Sequence, residues 1–406
     1  MTSQLLIIGN GFDLQCGLKS SYKAFFYHEI LDCESEKFGF YNTRCGVFGF
    51  WEQLLVEHYS MKGNADNNWC DIENIIKETL LLIFANNKNI SKKAYNSIGI
   101  KALTRARLND TPDFSDVKNQ IEKFISNYCF YYFRNLSFRD KARTDQDQLH
   151  LLIEHLLQEL HNLERRFCKY IKNLLNDEYV VNAVNLLARL TEFSIRKYKR
   201  IDEFIDERKQ IINDGKEVRY DKGLVKSFDN LKSTFVLSFN YTALFDLLNV
   251  KSPCRYSNVH GKICNEMCSL NCELSNIIFG IDDTLIQSQS EFNEMRIFSK
   301  TYRKMLETSS PESILPSAEI YPVEIKFYGH SLSEADYSYF QSIFDYYNLY
   351  SNNKVSLIFY YSVGYNPTDA VYRLINSYGK SLTNQDQGKN LMHKLLLENR
   401  LKIVRI

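Results

Sequence analysis

The sequence predicts an α/β protein: a doubly wound, mostly parallel sheet split by a large all-helical insertion. Three observations predict it. The chain opens with a short run apolar on both faces, Leu5-Leu6-Ile7-Ile8, which stops at Gly9. Beyond Ser233, β-rich runs alternate with helical segments. Between residues 61 and 225 proline and glycine almost vanish, and apolar residues recur at helical spacing.

Residues 4–8 read as a central parallel strand, because a strand covered on both faces has no polar side. Residues 20–31 read as a helix, with Tyr22, Phe25, Phe26 and Ile30 on one face. Strand, glycine loop and helix open a Rossmann-like mononucleotide-binding unit. In the middle block, residues 71–85, 114–136, 145–175 and 180–205 read as helices. The third of these carries Leu149, Leu152, Ile153, Leu156, Leu157, Leu160, Leu163 and Phe167 on one broad stripe. A basic stretch from Arg196 to Arg200 reads as a solvated face or a binding site. Strand signals return at residues 234–238, 277–279, 323–328, 355–361 and 401–404, with helices expected at 333–350 and 369–377. The expected organisation is therefore a discontinuous core, 1–60 plus 226–406, and a helical insertion, 61–225.

Composition limits the function classes. A chain of 406 residues is too long for one ordinary core, and 44% hydrophobic with 24% charged residues is the balance of a globular protein. A net charge of +1 argues against nucleic-acid binding through bulk charge alone. No run of about 18 apolar residues is present, and the opening MTSQLLIIGNGFD lacks the basic and apolar regions of a secretion signal. A cytoplasmic protein without membrane contact is expected, its ten cysteines reduced.

Ligands of open parallel sheets bind at the carboxyl ends of the strands, and four unusual sequences fall there. The first is Gly9-Asn10-Gly11-Phe12-Asp13. Its glycines permit a sharp turn and close ligand approach, and the next helix offers free N–H groups to a phosphate. Asp13 either holds a ribose hydroxyl or caps the next helix. The second is Ser238-Phe239-Asn240-Tyr241-Thr242. The Asn240 amide either orients a water or sugar hydroxyl, or marks a left-handed turn. The third is Val259-His260-Gly261, where His260 is a general base or a structural histidine. The fourth runs from Phe327 through Gly329, His330, Ser331, Leu332 and Ser333 to Asp336. It is either a ligand loop, with His330 a second base, or a helix start capped by Ser331 or Ser333.

Together these motifs resemble the AbiH family of bacterial phage-defence (abortive infection) proteins. That family opens with IGNGFD and a GL-x-(S/T)-x-Y extension, here Ile8 to Asp13 and Gly17 to Tyr22. It also carries FNYT, HG and GHSL-x-x-x-D, here Phe239 to Thr242, His260-Gly261 and Gly329 to Asp336. Trp69, Asp71 and Glu73 resemble a further family feature. AbiH proteins in turn resemble the sirtuin-like NAD-binding fold. That likeness implies that Gly9, Asn10, Gly11, Phe12 and Asp13 hold NAD phosphates, that Asn240 positions the ribose or attacking water, and that His260 is the base. It places Tyr241 at the cofactor, and Gly329, His330, Ser331 and Asp336 beside the adenosine half. Two departures stand out: the loop is GNGFD rather than the sirtuin GAG type, and Thr242 stands where related defence proteins have an acid. The sirtuin zinc site needs two CxxC pairs. This chain has Cys264, Cys268 and Cys272, with Cys254 or His260 as a fourth donor, so zinc is not expected.

The expected activity is hydrolysis of NAD to nicotinamide and ADP-ribose by a defence effector. Its expected partners are NAD or a related nucleotide, further copies of the chain in a homo-oligomer, and a phage-derived trigger or defence-system partner. The alternatives are a nucleotide-binding sensor without turnover and a metal-dependent nuclease using Asp71 and Glu73. Acidic residues in a first helical turn also complement the helix dipole.

Overall fold

The computed structural model describes residues 2–31, 48–62, 71–84, 98–108, 119–141, 143–191, 233–244, 254–263, 277–282, 295–306, 315–318, 322–333 and 336–406. The chain divides into two compact units. One comprises Met1–Ser20, Ile171–Ile277 and Ser310–Ile406; the other comprises Ser21–Tyr170 and Ile278–Ser309. These units cut the chain elsewhere than at 61 and 225, the boundaries that composition suggests. The helix Asp177–Leu190, from the glycine-poor block, falls in the unit that holds the sheet, and residues 21–60 fall in the helical one.

The first unit is built on one six-stranded sheet. Its strands are β1 (Ser3–Ile8), β2 (Thr234–Ser238), β3 (Arg255–Asn258), β4 (Val323–Tyr328), β5 (Val355–Tyr361) and β6 (Leu401–Arg405). Their spatial order is β3-β2-β1-β4-β5-β6, and every neighbouring pair is parallel. The order therefore reverses between β1 and β4, the point at which parallel α/β sheets open a crevice. The helices of this unit include α1 (Asn10–Gln15), α2 (Asp177–Leu190), α3 (Tyr337–Tyr346), α4 (Thr368–Ser381) and α5 (Gln385–Leu397).

Period-two alternation explains the core. Leu5, Ile7, Ile325, Phe327, Leu357 and Phe359 face one way and form a single buried cluster with residues of α3, α4 and α5, including Phe340, Phe344, Leu374, Tyr378, Leu391 and Leu395. Phe327 and Phe359 are register partners, and their rings stack with centroids 4.4 Å apart. On the opposite face, buried Lys326 places Nζ 3.3 Å from Leu190 O, and Gln4 Nε2 donates to Thr191 O at 3.4 Å. A cation is favoured at the carbonyl-rich end of a helix, so Lys326 fixes the C-terminus of α2 against the sheet. Helices thus cover both faces.

The second unit is helical, with Tyr22–Phe25 running into a π-helical turn Phe26–Leu31, then Phe50–Lys62, Ile72–Phe84, Ile98–Arg107, Gln120–Arg134 and Lys300–Leu306. It also holds most of Asp145–Leu174, which starts on a reciprocal cap: Thr144 Oγ1 accepts from Asp147 N at 3.2 Å and donates to Asp147 Oδ2 at 2.6 Å. The expected stripe is buried at Leu152, Ile153, Leu156, Leu160, Leu163 and Phe167. Residues 277–279 are not a strand. They lie outside regular structure, and Phe279 packs its ring against Tyr22 and Phe167. An apolar run is equally served by such a side-chain cluster, and only Ile281 makes an isolated parallel bridge, with Ser299. Among the described residues no helix is long and apolar enough to cross a membrane.

Candidate functional site

Sheet register brings the four loops together. Ile8 pairs with both Ser238 and Tyr328, and Ser238 pairs with Asn258. These are the last residues of β1, β2, β4 and β3. The loops beginning at Gly9, Phe239, Val259 and Gly329 therefore leave the sheet side by side, at its carboxyl edge.

The two glycine loops close on each other. Gly9 N donates to Tyr328 O at 3.0 Å, Gly11 N to Gly329 O at 2.8 Å, and Phe12 N to Gly9 O at 2.8 Å. A Cβ on Gly11 would lie 2.7 Å from Gly329 Cα. Gly329 has φ +67°, and a Cβ there would strike Phe12 N. The glycines serve backbone-to-backbone contact between loops. The expected phosphate cradle of free N–H groups meets a correction here, since β4 and its loop already occupy two of those donors and Gly9 O a third.

Asp13 neither caps a helix nor reaches outward. It lies inside α1 and is buried, whereas the helix Tyr22–Phe25 takes its cap from Ser21 Oγ. Tyr179 Oη donates to Asp13 Oδ1 at 2.8 Å, and Thr242 Oγ1 sits 3.0 Å from both carboxylate oxygens. Burial pushes the Asp13 pKa up to about 6, against the lowering effect of hydrogen bonds from Tyr179 and Thr242. The neighbouring Cys16 thiol is pushed up to about 12 by burial and by the Asp13 charge, which keeps it protonated and unreactive.

His260, His330 and Asp336 form one cluster. His260 Nε2 lies 3.2 Å from Asp336 Oδ1, and His330 Nε2 lies 3.4 Å from Asp336 Oδ2. All three are buried. His330 Nδ1 accepts a hydrogen bond from Leu332 N at 2.9 Å, so its ring proton sits on Nε2, toward Asp336. Leu332 makes that bond from φ +56°, an uncommon backbone state for a branched residue. Phe239 packs edge-on against both imidazoles, with centroids 5.4 Å from His260 and 4.5 Å from His330. A carboxylate holding an imidazole in apolar surroundings is a general-base arrangement. Asp336 is the N-cap residue of α3, and its side chain makes no capping bond; neither Ser331 nor Ser333 caps the helix with a side chain.

Asn240 is 3% exposed, and neither Oδ1 nor Nδ2 completes a hydrogen bond. Its amide helps to lower the Asp13 pKa without completing a hydrogen bond. Positive φ among described non-glycine residues is confined to Leu332, Asn348 and Asn399. Asn240 is therefore no left-handed turn residue. The backbone around it is braced: Asn258 Nδ2 donates to Asn240 O at 2.7 Å and to Thr242 O at 3.0 Å. An amide buried without partners costs about 1–3 kcal/mol. A fold that rigidly holds one presents it to something.

The remaining expected residues are dispersed. Asn10 is exposed and accepts from Ser20 Oγ at 2.5 Å. Phe12 is buried with its ring edge-on to Tyr328. Tyr241 is half-buried, and Ser331 is exposed. Sequence reasoning missed Tyr179, Asn258 and β3 itself; the four residues Arg255–Asn258 are too short and too polar to signal a strand. In the helical unit, Asp71 Oδ1 accepts from Asn74 N at 3.2 Å, and Glu73 pairs with buried Lys300 at 2.8 Å. These are capping and pairing roles. No group of three or more His, Cys, Asp or Glu side chains arranged so that it could hold a metal ion occurs among the described residues. Trp69, Arg196 to Arg200, Cys264, Cys268 and Cys272 lie outside them.

The family model described as "Bacteriophage abortive infection AbiH" matches residues 5–361 of the chain. No curated protein and no solved structure matches the chain.

Proposed function

The chain belongs to the AbiH family of bacteriophage abortive infection proteins, and from that membership we propose that it acts in phage defence by binding NAD at the carboxyl edge of its sheet and hydrolysing it. The observation that carries this reading is the orphaned amide of Asn240. It stands two residues beyond Ser238, and His260 stands two residues beyond the paired Asn258. A rigid, buried amide and a carboxylate-held imidazole on adjacent loops match what hydrolysis of a glycosidic C–N bond requires.

In that reaction water oxygen bonds to the anomeric carbon as the bond to nicotinamide breaks. Nicotinamide leaves as a neutral molecule, so no strong acid is needed. The water gives up one proton, and His260, oriented by Asp336, accepts it. Asn240 orients the water or the ribose hydroxyls, and Phe239 helps exclude bulk solvent. The strand order, reversing between β1 and β4, supports the Rossmann-like reading of the crevice. Consumption of NAD would harm the host unless restrained, so a phage-derived trigger, a defence-system partner or homo-oligomerisation belongs to the same proposal.

The test follows NAD, nicotinamide and ADP-ribose by chromatography in purified wild type, Asn240→Ala and His260→Ala. Turnover in wild type that is lost in both folded variants supports the hydrolase. The other outcome is a sensor that binds without turnover. Saturable NAD binding with no nicotinamide released, even at high protein concentration, would decide for it. Neither binding nor release would end the proposal.

A further inference from the structure

The helical unit contains a second place where a buried polar group is left without a partner. A cleft of about 610 Å³ is lined in part by Phe48, Phe50, Glu52, Tyr128, Glu159 and Arg166. That volume suits a small ligand. Glu52 stands in the first turn of Phe50–Lys62 and is 1% exposed. Its Oε1 lies 3.4 Å from Arg166 Nη1, a long contact, and its Oε2 has no hydrogen-bond partner. Glu159 arrives from Asp145–Leu174, where its Oε2 accepts from Phe50 N at 3.0 Å. A Cβ built on Gly49 would strike both Glu52 Oε2 and Glu159 Oε2. Two carboxylates from different helices thus converge on one glycine.

The electrostatics ask for a cation. Burial, above all, and the Glu159 charge raise the Glu52 pKa, while the backbone N–H groups of Glu52 and Gly49 and the Arg166 charge lower it. A positive donor between the carboxylates would satisfy Oε2 and relieve their repulsion. The walls are aromatic: Phe50 and Tyr128 pack with ring centroids 4.6 Å apart, and Phe48 already carries the Arg166 guanidinium 5.2 Å from its centroid. Aromatic faces attract cations. Arg165, also at the cleft, is held by its own helix, donating from Nε to His161 O and from Nη2 to Asn162 Oδ1. Two carboxylates fall short of the six or more oxygens a divalent calcium ion takes, whereas a guanidinium or ammonium group needs only a few acceptors.

We propose that this cleft binds an organic cation, a guanidinium or primary ammonium group, held between Glu52 and Glu159 against the aromatic walls. Calorimetric titration of the full-length protein tests it with agmatine as a free cation, N-acetyl-arginine amide as a protein-like side chain, and N-acetyl-citrulline amide as the neutral isostere. Saturable binding of a cation, absent for citrulline, is expected, with affinity rising with pH as Glu52 ionises. Binding of agmatine alone identifies a free small molecule; binding of the arginine amide as well identifies a side chain. Glu52→Gln and Glu159→Gln, which keep side-chain volume, should each weaken binding at least about tenfold. Asn240→Ala should bind as wild type does, which separates this cleft from the sheet site. No saturable cation binding by wild type, or undiminished binding by Glu52→Gln, would overturn the proposal.

Discussion

Asp336 Oδ1 lies 3.2 Å from His260 Nε2, at ion-pair distance, although Asp336 stands at the N-cap of α3, where carboxylates ordinarily accept helix N–H groups. That departure makes the pair the first place to probe. Asp336→Asn keeps the shape and removes the charge that orients and steadies the imidazole. The proposed NAD turnover is expected to fall about 10²- to 10⁴-fold, the range of a general acid–base contribution, with the circular dichroism spectrum unchanged. An Asp336→Asn protein of wild-type rate would take the pair out of the chemistry.

Asn240 makes the opposite kind of prediction. Its buried amide has no hydrogen-bond partner, so removing it frees the fold of a cost of about 1–3 kcal/mol. Asn240→Leu is expected to leave stability equal to wild type or higher in urea denaturation, while the proposed NAD hydrolysis is lost. Stability kept against function is the mark of a site residue. A clear loss of stability together with retained hydrolysis would mean that the amide serves the fold.

The raised pKa of Asp13, about 6, predicts a stability profile. The folded state holds this proton more tightly than the unfolded chain, whose carboxyl titrates near 3.9. The contribution is therefore fully present below about pH 4 and is lost as pH rises through about 6, by about 3 kcal/mol. Denaturation at several pH values should show this decline in wild type. Asp13→Asn should flatten it between those limits, since an amide still accepts from Tyr179 and Thr242. Identical profiles for the two proteins would refute the assignment.

Gly17 and Gly329 separate backbone conformation from crowding. Both have positive φ, but a Cβ on Gly17 would meet nothing within 4 Å, whereas one on Gly329 would strike Phe12 N and Gly11. Gly17→Ala is expected to cost about 1–2 kcal/mol, the left-handed penalty alone. Gly329→Ala adds overpacking, for a total nearer 3–4 kcal/mol. Comparable midpoints in thermal melts of the two variants would show that the loops can part without cost.

What the sequence determined by itself was local. The all-apolar Leu5 to Ile8 marked a central strand, because only a strand covered on both faces lacks a polar side. Strand-then-loop punctuation located the loops at Gly9, Phe239 and Gly329, and the stripe in Asp145–Leu174 located the longest helix among the described residues. Tertiary structure decided what those loops do. Register pairs Ile8 with Ser238 and Tyr328, and Ser238 with Asn258, which sets distant loops side by side. It turned Gly11 and Gly329 toward each other, a contact that no spacing encodes. It gave Asp13 a partner in Tyr179, 166 residues away, in a helix whose composition resembled the glycine-poor block around it. It also left β3 to be recognised only by its pairing with β2, since four half-polar residues carry no periodicity. Periodicity and turn chemistry act over a few residues and can be read along the chain. Burial, orphaned amides and carboxylate–imidazole pairs depend on which segments pack together, and that is settled only when the sheet forms.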